Sequence, residues 1–221
     1  MSATFTAARA ADAMEGQVVR GDRGTSFRGV STDSRAVTTG QAFVALRGDR
    51  FDGHDYCDLA LRGGAAVLVV ERHVQVERPA VVIRVDDTVE ALGRLARAWR
   101  RRVAPLVVGI TGSVGKTTTK ELTRAVLEQL GPTHATAGNY NNAIGLPLTL
   151  LGLPDSARYL VAEMGMNAPG EIATLARLAA PRVGVVTCVA PVHLEGLGTL
   201  EAVARAKGEL LAALPDDGWA V

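Results

Sequence analysis

The sequence predicts an α/β protein in two parts: a small N-terminal α/β domain, then a mostly parallel α/β domain. Short apolar runs typical of buried strands alternate with amphipathic helical patterns along the chain. The helical pattern over 88–102 is followed by Pro105, and proline disfavours continuation of a helix at the residues before it. We therefore place the domain boundary between residues 1–103 and 104–221.

The composition describes an ordinary globular protein. A chain of 221 residues can bury roughly 70% of its unfolded surface, and 48% of these residues are hydrophobic. The net charge of +1 gives no reason to expect nucleic acid as a partner. No apolar run approaches the roughly 18 residues that a membrane-spanning helix needs, so we expect no membrane insertion.

The cysteines and the N-terminal segment bear on location. Cys57 and Cys188 lie far apart without the spacing of a metal site, so we expect neither a disulfide framework nor zinc. The first 24 residues lack the basic start and the apolar core of a leader peptide. We therefore expect a cytoplasmic protein.

Residues 106–122, LVVGITGSVGKTTTKEL, have the pattern of a phosphate-binding loop. An apolar run predicts a buried strand, and the glycines then let several backbone N–H groups point at one anion before a helix begins. Lys116 would reach the outer phosphates of a nucleotide, and the Thr117 hydroxyl would bind the Mg²⁺ that bridges them. Because Ile110 stands where the longer motif has its first glycine, the pattern is the shorter G-x-x-G-K-T. A glycine-rich turn with a solvated Lys116 is the alternative.

Two polar loops of the first domain can contact a ligand. Residues 31–35, STDSR, lie between the predicted strands 27–30 and 41–46 and can hydrogen-bond a sugar, a uracil edge or a diphosphate. A polar turn capped by Asp33 and Ser31 is the alternative, and chemistry alone favours it. Residues 47–55 contain His54, which either contacts a ligand or lies at the start of a helix, and a lone histidine favours the second interpretation.

Strand ends of the second domain supply further candidates. Residues 159–162 predict a strand that ends at Glu163, and a carboxylate there, beside the phosphate loop, is a candidate Mg²⁺ ligand. Residues 183–187 predict a strand that leads to His193, in the same kind of position. The polar loop 136–142 can bind a nucleotide or a reaction intermediate through side-chain amides.

Two predicted helices carry apolar stripes. Residues 120–130 form the first, with Leu122, Ala125, Val126 and Leu130 on one face. The second begins at Leu200, and its inward stripe includes Lys207, four residues after Val203. A lysine there must reach solvent along its stem, pair with a buried carboxylate or serve a site, and periodicity alone favours the first of these.

Five motifs in this order together resemble the Mur ligases. They are STDSR with ALRGDRFDGH (31–54), TGSVGKTTTKE (111–121), TAGNYNNAIGLPLTLL (136–151), EMGMNAPGEI (163–172) and HLEGLGTLEAVARAKGEL (193–210). The resemblance runs over nearly the whole chain. Within the family, EMGMNAPGEI and KTTTKE favour members that add D-alanyl-D-alanine to UDP-N-acetylmuramoyl-tripeptide over the diamino-acid-adding ligase and folylpolyglutamate synthase.

The resemblance implies an ATP-dependent amide ligase of peptidoglycan precursor synthesis that works through an acyl phosphate. Lys116, His193 and Lys207 would be catalytic, and Mg²⁺ would bind at Thr117, Glu163, His193 and a carbamylated Lys207. Nucleotide-binding residues would be Gly112, Ser113, Gly115, Lys116, Thr117, Thr118, Asn139 and Asn142. The uridine diphosphate end of the substrate would contact Ser31, Thr32, Asp33, Ser34, Arg35, Arg47, Asp52 and His54.

The family also carries a third, C-terminal domain, so the resemblance implies that this chain is a fragment with a truncated ATPase domain. We expect the 221 residues alone not to ligate, and we expect a monomer. Alternatives are a nucleotide- or UDP-sugar-binding module without catalysis, the diamino-acid-adding Mur ligase, and a phosphate-loop kinase. The kinase is disfavoured because no lid-like arginine cluster follows the loop.

Overall fold

The computed structural model describes residues 3–48, 50–191 and 199–221. The chain divides into two compact units, Met1–Trp99 and Arg100–Val221. None of the described helices is long and apolar enough to cross a membrane. Each unit is built around its own parallel or mostly parallel sheet, which confirms the predicted α/β fold.

The first unit combines a mostly parallel sheet with α-helices of 6 to 16 residues. Its elements are β1 (Thr4–Thr6), α1 (Ala7–Met14), β2 (Gln17–Arg20), β3 (Ser26–Arg28), β4 (Val30–Ser31), β5 (Ala42–Val44), a 3-10 helix (Gly53–Tyr56), α2 (Cys57–Arg62), β6 (Val67–Val70), β7 (Val81–Arg84) and α3 (Thr88–Val103). The described strands of the main sheet run in the order β2-β7-β6-β5-β4, with only the β2–β7 pair antiparallel. The buried side chains of β5, β6 and α2 pack together, because these strands are apolar on both faces.

The predicted strand 27–30 is two strands in two different sheets. β3 pairs with β1, whereas β4 pairs with β5. The chain changes direction at Gly29, whose φ of +77° is a conformation that glycine adopts without strain. The prediction of one continuous strand was therefore wrong, although both halves are extended.

The second unit is a parallel sheet with helices in its crossover connections. Its described elements are β8 (Leu106–Thr111), α4 (Lys116–Glu128), β9 (Thr133–Ala135), α5 (Gly145–Leu151), β10 (Tyr159–Glu163), α6 (Glu171–Ala179), β11 (Val183–Val186), α7 (Leu200–Ala212) and β12 (Trp219–Ala220). The order is β12-β11-β8-β10-β9, and every pair is parallel. After β8 the chain forms β9 and β10 on one side of β8, and then β11 and β12 on the other side. The sheet therefore has a topological switch point beside β8.

Helix α4 differs from its prediction in start and in orientation. It begins at Lys116 rather than residue 120, because the turn at Gly115 (φ +86°) leads directly into it. Leu122 and Val126 of the predicted apolar face are 65% and 64% exposed, whereas Lys120 is only 2% exposed. The side of α4 that meets β9 and β10 therefore buries Lys120 and part of Leu127 instead.

Candidate functional site

The polar segments of the second unit meet at one edge of its sheet. Because β8, β9, β10 and β11 are parallel, their carboxyl ends lie on the same side. The phosphate loop follows β8, Thr136 follows β9, Glu163 ends β10 and Thr187 follows β11. This edge, beside the switch point, is where open α/β sheets bind ligands.

The phosphate loop turns tightly against the end of β11. Gly112 has φ of +149°, and a Cβ atom there would overlap the Thr187 hydroxyl. That hydroxyl donates a hydrogen bond to the Val114 carbonyl oxygen at 2.6 Å. The loop therefore requires glycine at 112 for space as well as for backbone conformation.

Ser113 is bonded within the protein. Its N–H donates to the Cys188 carbonyl oxygen at 2.9 Å. Its hydroxyl donates to the Ala190 carbonyl oxygen at 3.1 Å and accepts from the Ala190 N–H at 2.9 Å. These bonds anchor the loop to the segment after β11, and nucleotide binding by Ser113 stays a prediction.

Thr117 and Glu163 form the centre of the site. The Thr117 hydroxyl donates to Glu163 Oε2 at 3.0 Å, and the Asn141 side-chain amide donates to Glu163 Oε1 at 2.9 Å. Glu163 is only 3% exposed. A hydroxyl from the first turn of α4 and an amide from the loop after β9 thus hold this buried carboxylate.

These oxygen atoms fit Mg²⁺ bound together with a nucleotide. Magnesium usually takes one or two protein carboxylates and completes its shell with phosphate oxygens and water. Glu163 and Thr117 supply one carboxylate and one hydroxyl. In the part of the chain that the structure describes, no three His, Cys, Asp or Glu side chains converge as a metal cluster would require.

Two lysines face this region from different helices. Lys116 Nζ donates to the Gly112 carbonyl oxygen at 2.7 Å, which keeps the ammonium at the loop. Lys207 is 2% exposed, on the inward stripe of α7 with Val203 and Leu210. Burial, and secondarily the positive charge of Lys116, lowers the pKa of Lys207.

The remaining predicted residues of the second unit have diverse placements. Gly115 precedes α4, and Thr118 is exposed on the first turn of that helix. The Asn142 side-chain oxygen accepts from the N–H groups of Ile144 and Gly145 and so caps α5, while Asn139 is exposed. Asn142 also lines a cavity of about 620 Å³ with Gly165 and the start of α6. His193 lies outside the described residues.

The first unit has a cavity of about 410 Å³ beside the loop that follows β4. Thr32, Ser34 and Arg35 are among the residues that line this cavity. Asp33 and Arg35 form a bidentate ion pair at 2.8 and 2.9 Å, and hydrogen bonds from Arg35 lower the pKa of Asp33 to about 2. Ser31 exchanges hydrogen bonds with the Asp33 backbone, so the interpretation as a capped polar turn is confirmed.

The lining of this first-unit cavity also includes aromatic and apolar residues. Phe51 and Tyr56 line it and are 69% and 39% exposed, together with Leu46 and Leu59. The backbones of Arg47 and Asp52 form an isolated antiparallel β-bridge, and Phe51 lies between these two residues in sequence. An exposed ring next to a guanidinium and hydroxyls can stack a planar base and bind its polar edge.

Asp52 and His54 stabilise the loop that contains Phe51 through hydrogen bonds. His54 Nε2 must accept, because its partner at 2.9 Å is the Glu71 N–H, so Nδ1 carries the proton that it donates to Asp52 at 2.5 Å. Asp52 also accepts from the His54 N–H and from Arg72, and the first of these contacts chiefly lowers its pKa to about 2. His54, with both nitrogens bonded and 5% exposed, is thus a structural residue rather than a ligand contact.

The comparison with family profiles decides the classification. The profile described as Mur ligase middle domain matches residues 110–221, which is half of the chain, and that described as Mur ligase family, catalytic domain, matches residues 26–100. The chain belongs to the Mur ligase family. The resemblance seen in the motifs is therefore confirmed.

Named Mur ligases align over most of this chain. UDP-N-acetylmuramoyl-tripeptide--D-alanyl-D-alanine ligase of Escherichia coli (strain K12) is 44% identical over 218 residues, which are 99% of this chain and 47% of the relative. The ligase of the same name from Bacillus subtilis (strain 168) is 44% identical over 196 residues, 88% of this chain and 43% of the relative. The chain thus spans about half the length of these relatives.

Solved Mur ligase structures share the fold. Crystal structure II of MurF from Acinetobacter baumannii matches with a TM-score of 0.92 and 35% identity over 99% of this chain and 48% of that one. MurF ligase from Thermotoga maritima in complex with ADP matches with a TM-score of 0.81 and 39% identity over 87% of this chain and 45% of that one.

Sequence reasoning missed two groups of residues in this Mur ligase chain. Asn141, rather than Asn139 or Asn142, contacts Glu163, and the run of neighbouring amides gives no signal as to which one turns inward. Phe51 and Tyr56 line the first-unit cavity. An aromatic residue inside the charged stretch Arg50-Phe51-Asp52 was the available signal, since such a ring has no apolar partner nearby in sequence.

Proposed function

We propose that the chain is part of an ATP-dependent ligase that joins D-alanyl-D-alanine to UDP-N-acetylmuramoyl-tripeptide in peptidoglycan precursor synthesis. The observation that carries the proposal is the contact of Thr117 with the buried Glu163 beside Lys116, at the end of a phosphate loop. The relatives that align over 99% and 88% of this chain bear the name of this activity. The ADP complex of a related structure supports ATP as the nucleotide.

The first step would be phosphoryl transfer. An oxygen of the terminal carboxylate of the tripeptide attacks the γ-phosphorus of ATP, the bond to the bridging oxygen of ADP breaks, and an acyl phosphate forms. Lys116 would bind the outer phosphates and offset the charge that builds up on them. Backbone N–H groups at the start of α4 would bind the same phosphates.

The second step would form the amide bond. The amine of D-alanyl-D-alanine attacks the acyl carbon, the tetrahedral intermediate loses inorganic phosphate, and the amine proton leaves to solvent or a base. Both steps concentrate negative charge, so electrostatic stabilisation and positioning would supply most of the catalysis. Asn139, Asn142 and Thr118 remain proposed contacts of the nucleotide and the intermediate.

Thr117 and Glu163 would hold the Mg²⁺ that neutralises phosphate charge when it is bound. Lys207 is proposed to be carbamylated and to act with His193 at a second Mg²⁺. Support for this modification comes from the burial of Lys207 and from its lowered pKa, because only the unprotonated amine reacts with carbon dioxide. A carbamate would also replace a buried cation with a group that can bind metal.

The first unit would bind the uridine diphosphate end of the substrate. Phe51 would stack on the uracil, while Arg35, Arg47 and the hydroxyls of the 31–35 turn would bind its polar edge, the sugar or the phosphates. Asp52 and His54 would support this loop through their hydrogen bonds. The support is the 410 Å³ cavity, whose lining includes both aromatic and polar residues.

The experiment is a product assay on the complete natural protein. With ATP, Mg²⁺, UDP-N-acetylmuramoyl-tripeptide and D-alanyl-D-alanine, we expect the pentapeptide product and one ADP for each amide formed. Lys116→Ala should lower kcat on the order of 10²–10³-fold, since it removes a transition-state contact. Glu128→Gln, on the exposed last turn of α4, is the control and should leave the rate unchanged.

The alternatives give different results in the same assay. A binding module without catalysis would bind the UDP-linked peptide and form no product. A kinase would release ADP and a stable phosphorylated compound without any amine. The diamino-acid-adding ligase would accept a diamino acid and the shorter UDP-linked dipeptide instead of D-alanyl-D-alanine.

A further inference from the structure

The lysines of this chain are few and all lie in the second unit. Of its 24 lysine and arginine residues, only Lys116, Lys120 and Lys207 are lysines. The proposed function uses Lys116 and Lys207. Lys120 is as deeply buried as Lys207, with 2% exposure, and it has no role in the reaction described so far.

Lys120 contacts the protein at two places. Its Nζ donates to the Thr136 carbonyl oxygen at 2.8 Å and lies 3.1 Å from Glu121 Oε1, on a side chain that is 48% exposed. Burying an ammonium group costs several kcal/mol before its partners compensate. An apolar side chain would fill the space without that cost, so the ammonium indicates a need for this particular contact.

Thr136 connects Lys120 to Glu163. Thr136 is 2% exposed, its N–H donates to the Val161 carbonyl oxygen at 3.0 Å, and its hydroxyl accepts from the Glu163 N–H at 3.0 Å. The residue thus bonds at once to Lys120 on α4 and to the end of β10. It is also the first residue of the loop that carries Asn141 to the Glu163 carboxylate.

Helix α4 presents Thr117 one turn before Lys120. The same helix therefore offers the hydroxyl that contacts Glu163 and the ammonium that anchors the segment bonded to the Glu163 backbone. We propose that Lys120 is a positioning residue, which acts through Thr136 to set the spacing between the Thr117 hydroxyl and the Glu163 carboxylate. This inference rests on the proposed function, because those two groups are the proposed Mg²⁺ ligands.

The test measures metal-linked nucleotide affinity rather than activity. In the complete protein, the Kd of ADP is measured by calorimetry with and without Mg²⁺. Lys120→Met keeps the length of the stem and removes the charge. We expect this variant to lose about tenfold in the Mg²⁺-dependent gain in affinity, as for other groups that orient metal ligands, while the metal-free Kd is unchanged.

Matched variants separate positioning from a general loss of structure. Glu121→Gln removes the exposed partner of Lys120 without touching Thr136, and should behave as wild type. Thr136→Val removes the hydroxyl that accepts from Glu163 and should reproduce Lys120→Met. Thr136→Ser keeps a hydroxyl and should show the wild-type Mg²⁺-dependent gain in ADP affinity. If Lys120→Met does not fold, the comparison of Thr136→Val with Thr136→Ser tests the inference instead.

The outcomes distinguish this inference from the proposed function. If Lys120→Met and Thr136→Val both keep the wild-type Mg²⁺-dependent gain in ADP affinity, the inference is overturned and the magnesium site still stands. If Lys120→Met does not fold, a full gain in Thr136→Val overturns it in the same way. A wild-type ADP affinity that is indifferent to Mg²⁺ contradicts the magnesium site, and the inference with it.

Discussion

The Thr117 hydroxyl donates a 3.0 Å hydrogen bond to Glu163 Oε2 across the edge of the parallel sheet. These residues lie 46 positions apart in sequence. They meet because β8 and β10 are parallel neighbours whose carboxyl ends coincide. The pairing of a phosphate-loop hydroxyl with a strand-end carboxylate is the arrangement that a magnesium-nucleotide site requires.

Replacing Glu163 should therefore abolish metal-linked nucleotide binding. Glu163→Gln keeps the shape of the side chain and removes its charge, so we expect the Mg²⁺-dependent gain in ADP affinity to fall on the order of 100-fold. Calorimetry with and without Mg²⁺ measures the gain. Glu128→Gln on the exposed last turn of α4 is the control, and an unchanged gain in Glu163→Gln would remove Glu163 from the metal site.

Gly112→Ala should damage both stability and nucleotide binding. The new Cβ would overlap the Thr187 hydroxyl at a φ of +149°, so we expect the free energy of unfolding to fall by more than about 2 kcal/mol. Gly208→Ala in α7 meets open space and should stabilise the protein by about 0.5–1 kcal/mol. Urea unfolding compares the two, and equal stability of both variants would contradict the loop geometry.

The two cysteines should differ in reactivity. Cys188 is exposed beside Val114 of the phosphate loop, whereas burial raises the pKa of Cys57 to about 12 and leaves almost no thiolate. We expect one fast-reacting thiol within these 221 residues, lost in Cys188→Ser and slowed by ADP. Two fast thiols, or no protection by ADP, would contradict the placement of these residues.

The Asp52 cluster should give a pH-dependent stability. The folded-state pKa of Asp52 is about 2, below its ordinary value of 3.8, so its contribution is complete above about pH 5 and lost as the pH falls toward 2. We expect Asp52→Asn to cost about 1 kcal/mol at neutral pH, a modest value because the carboxylate is partly solvated. Urea unfolding should show this difference disappear near pH 2, and a constant difference would contradict it.

Phe51 should contribute to ligand binding and not to folding. Its ring is 69% exposed, so Phe51→Ala should leave the unfolding midpoint unchanged. Loss of base stacking should weaken UDP binding by about 1–3 kcal/mol, whereas Phe51→Tyr keeps a ring and should retain affinity. Calorimetric titration with UDP makes the measurement, and equal affinity of the alanine variant would place the uracil elsewhere.

Much of the second unit could be predicted from sequence because its elements have local signals. Apolar runs marked β8, β10 and β11, and the inward position of Lys207 followed from helical periodicity. The orientation of α4 did not follow, because its apolar stripe is exposed while the sheet packs against the side with Lys120. A polar residue that is buried for a tertiary contact has no periodic signature.

Site residues show the same limit. A phosphate loop is a continuous motif, so Lys116 and Thr117 could be assigned directly. Which of Asn139, Asn141 and Asn142 reaches Glu163 depends on the path of one loop, and the anchoring role of Ser113 depends on a segment 75 or more residues away. Hydrogen bonds between distant segments are set by sheet topology, which a single sequence does not specify.

The measurement that tests the central claim most directly follows one oxygen atom. The complete protein is given ATP, Mg²⁺, D-alanyl-D-alanine and a UDP-N-acetylmuramoyl-tripeptide whose terminal carboxylate carries heavy oxygen, and the released inorganic phosphate is analysed by mass spectrometry. Ligation through an acyl phosphate transfers one labelled oxygen from the carboxylate to the phosphate in each turnover. Pentapeptide product with unlabelled phosphate, or no product at all, would contradict the proposed function.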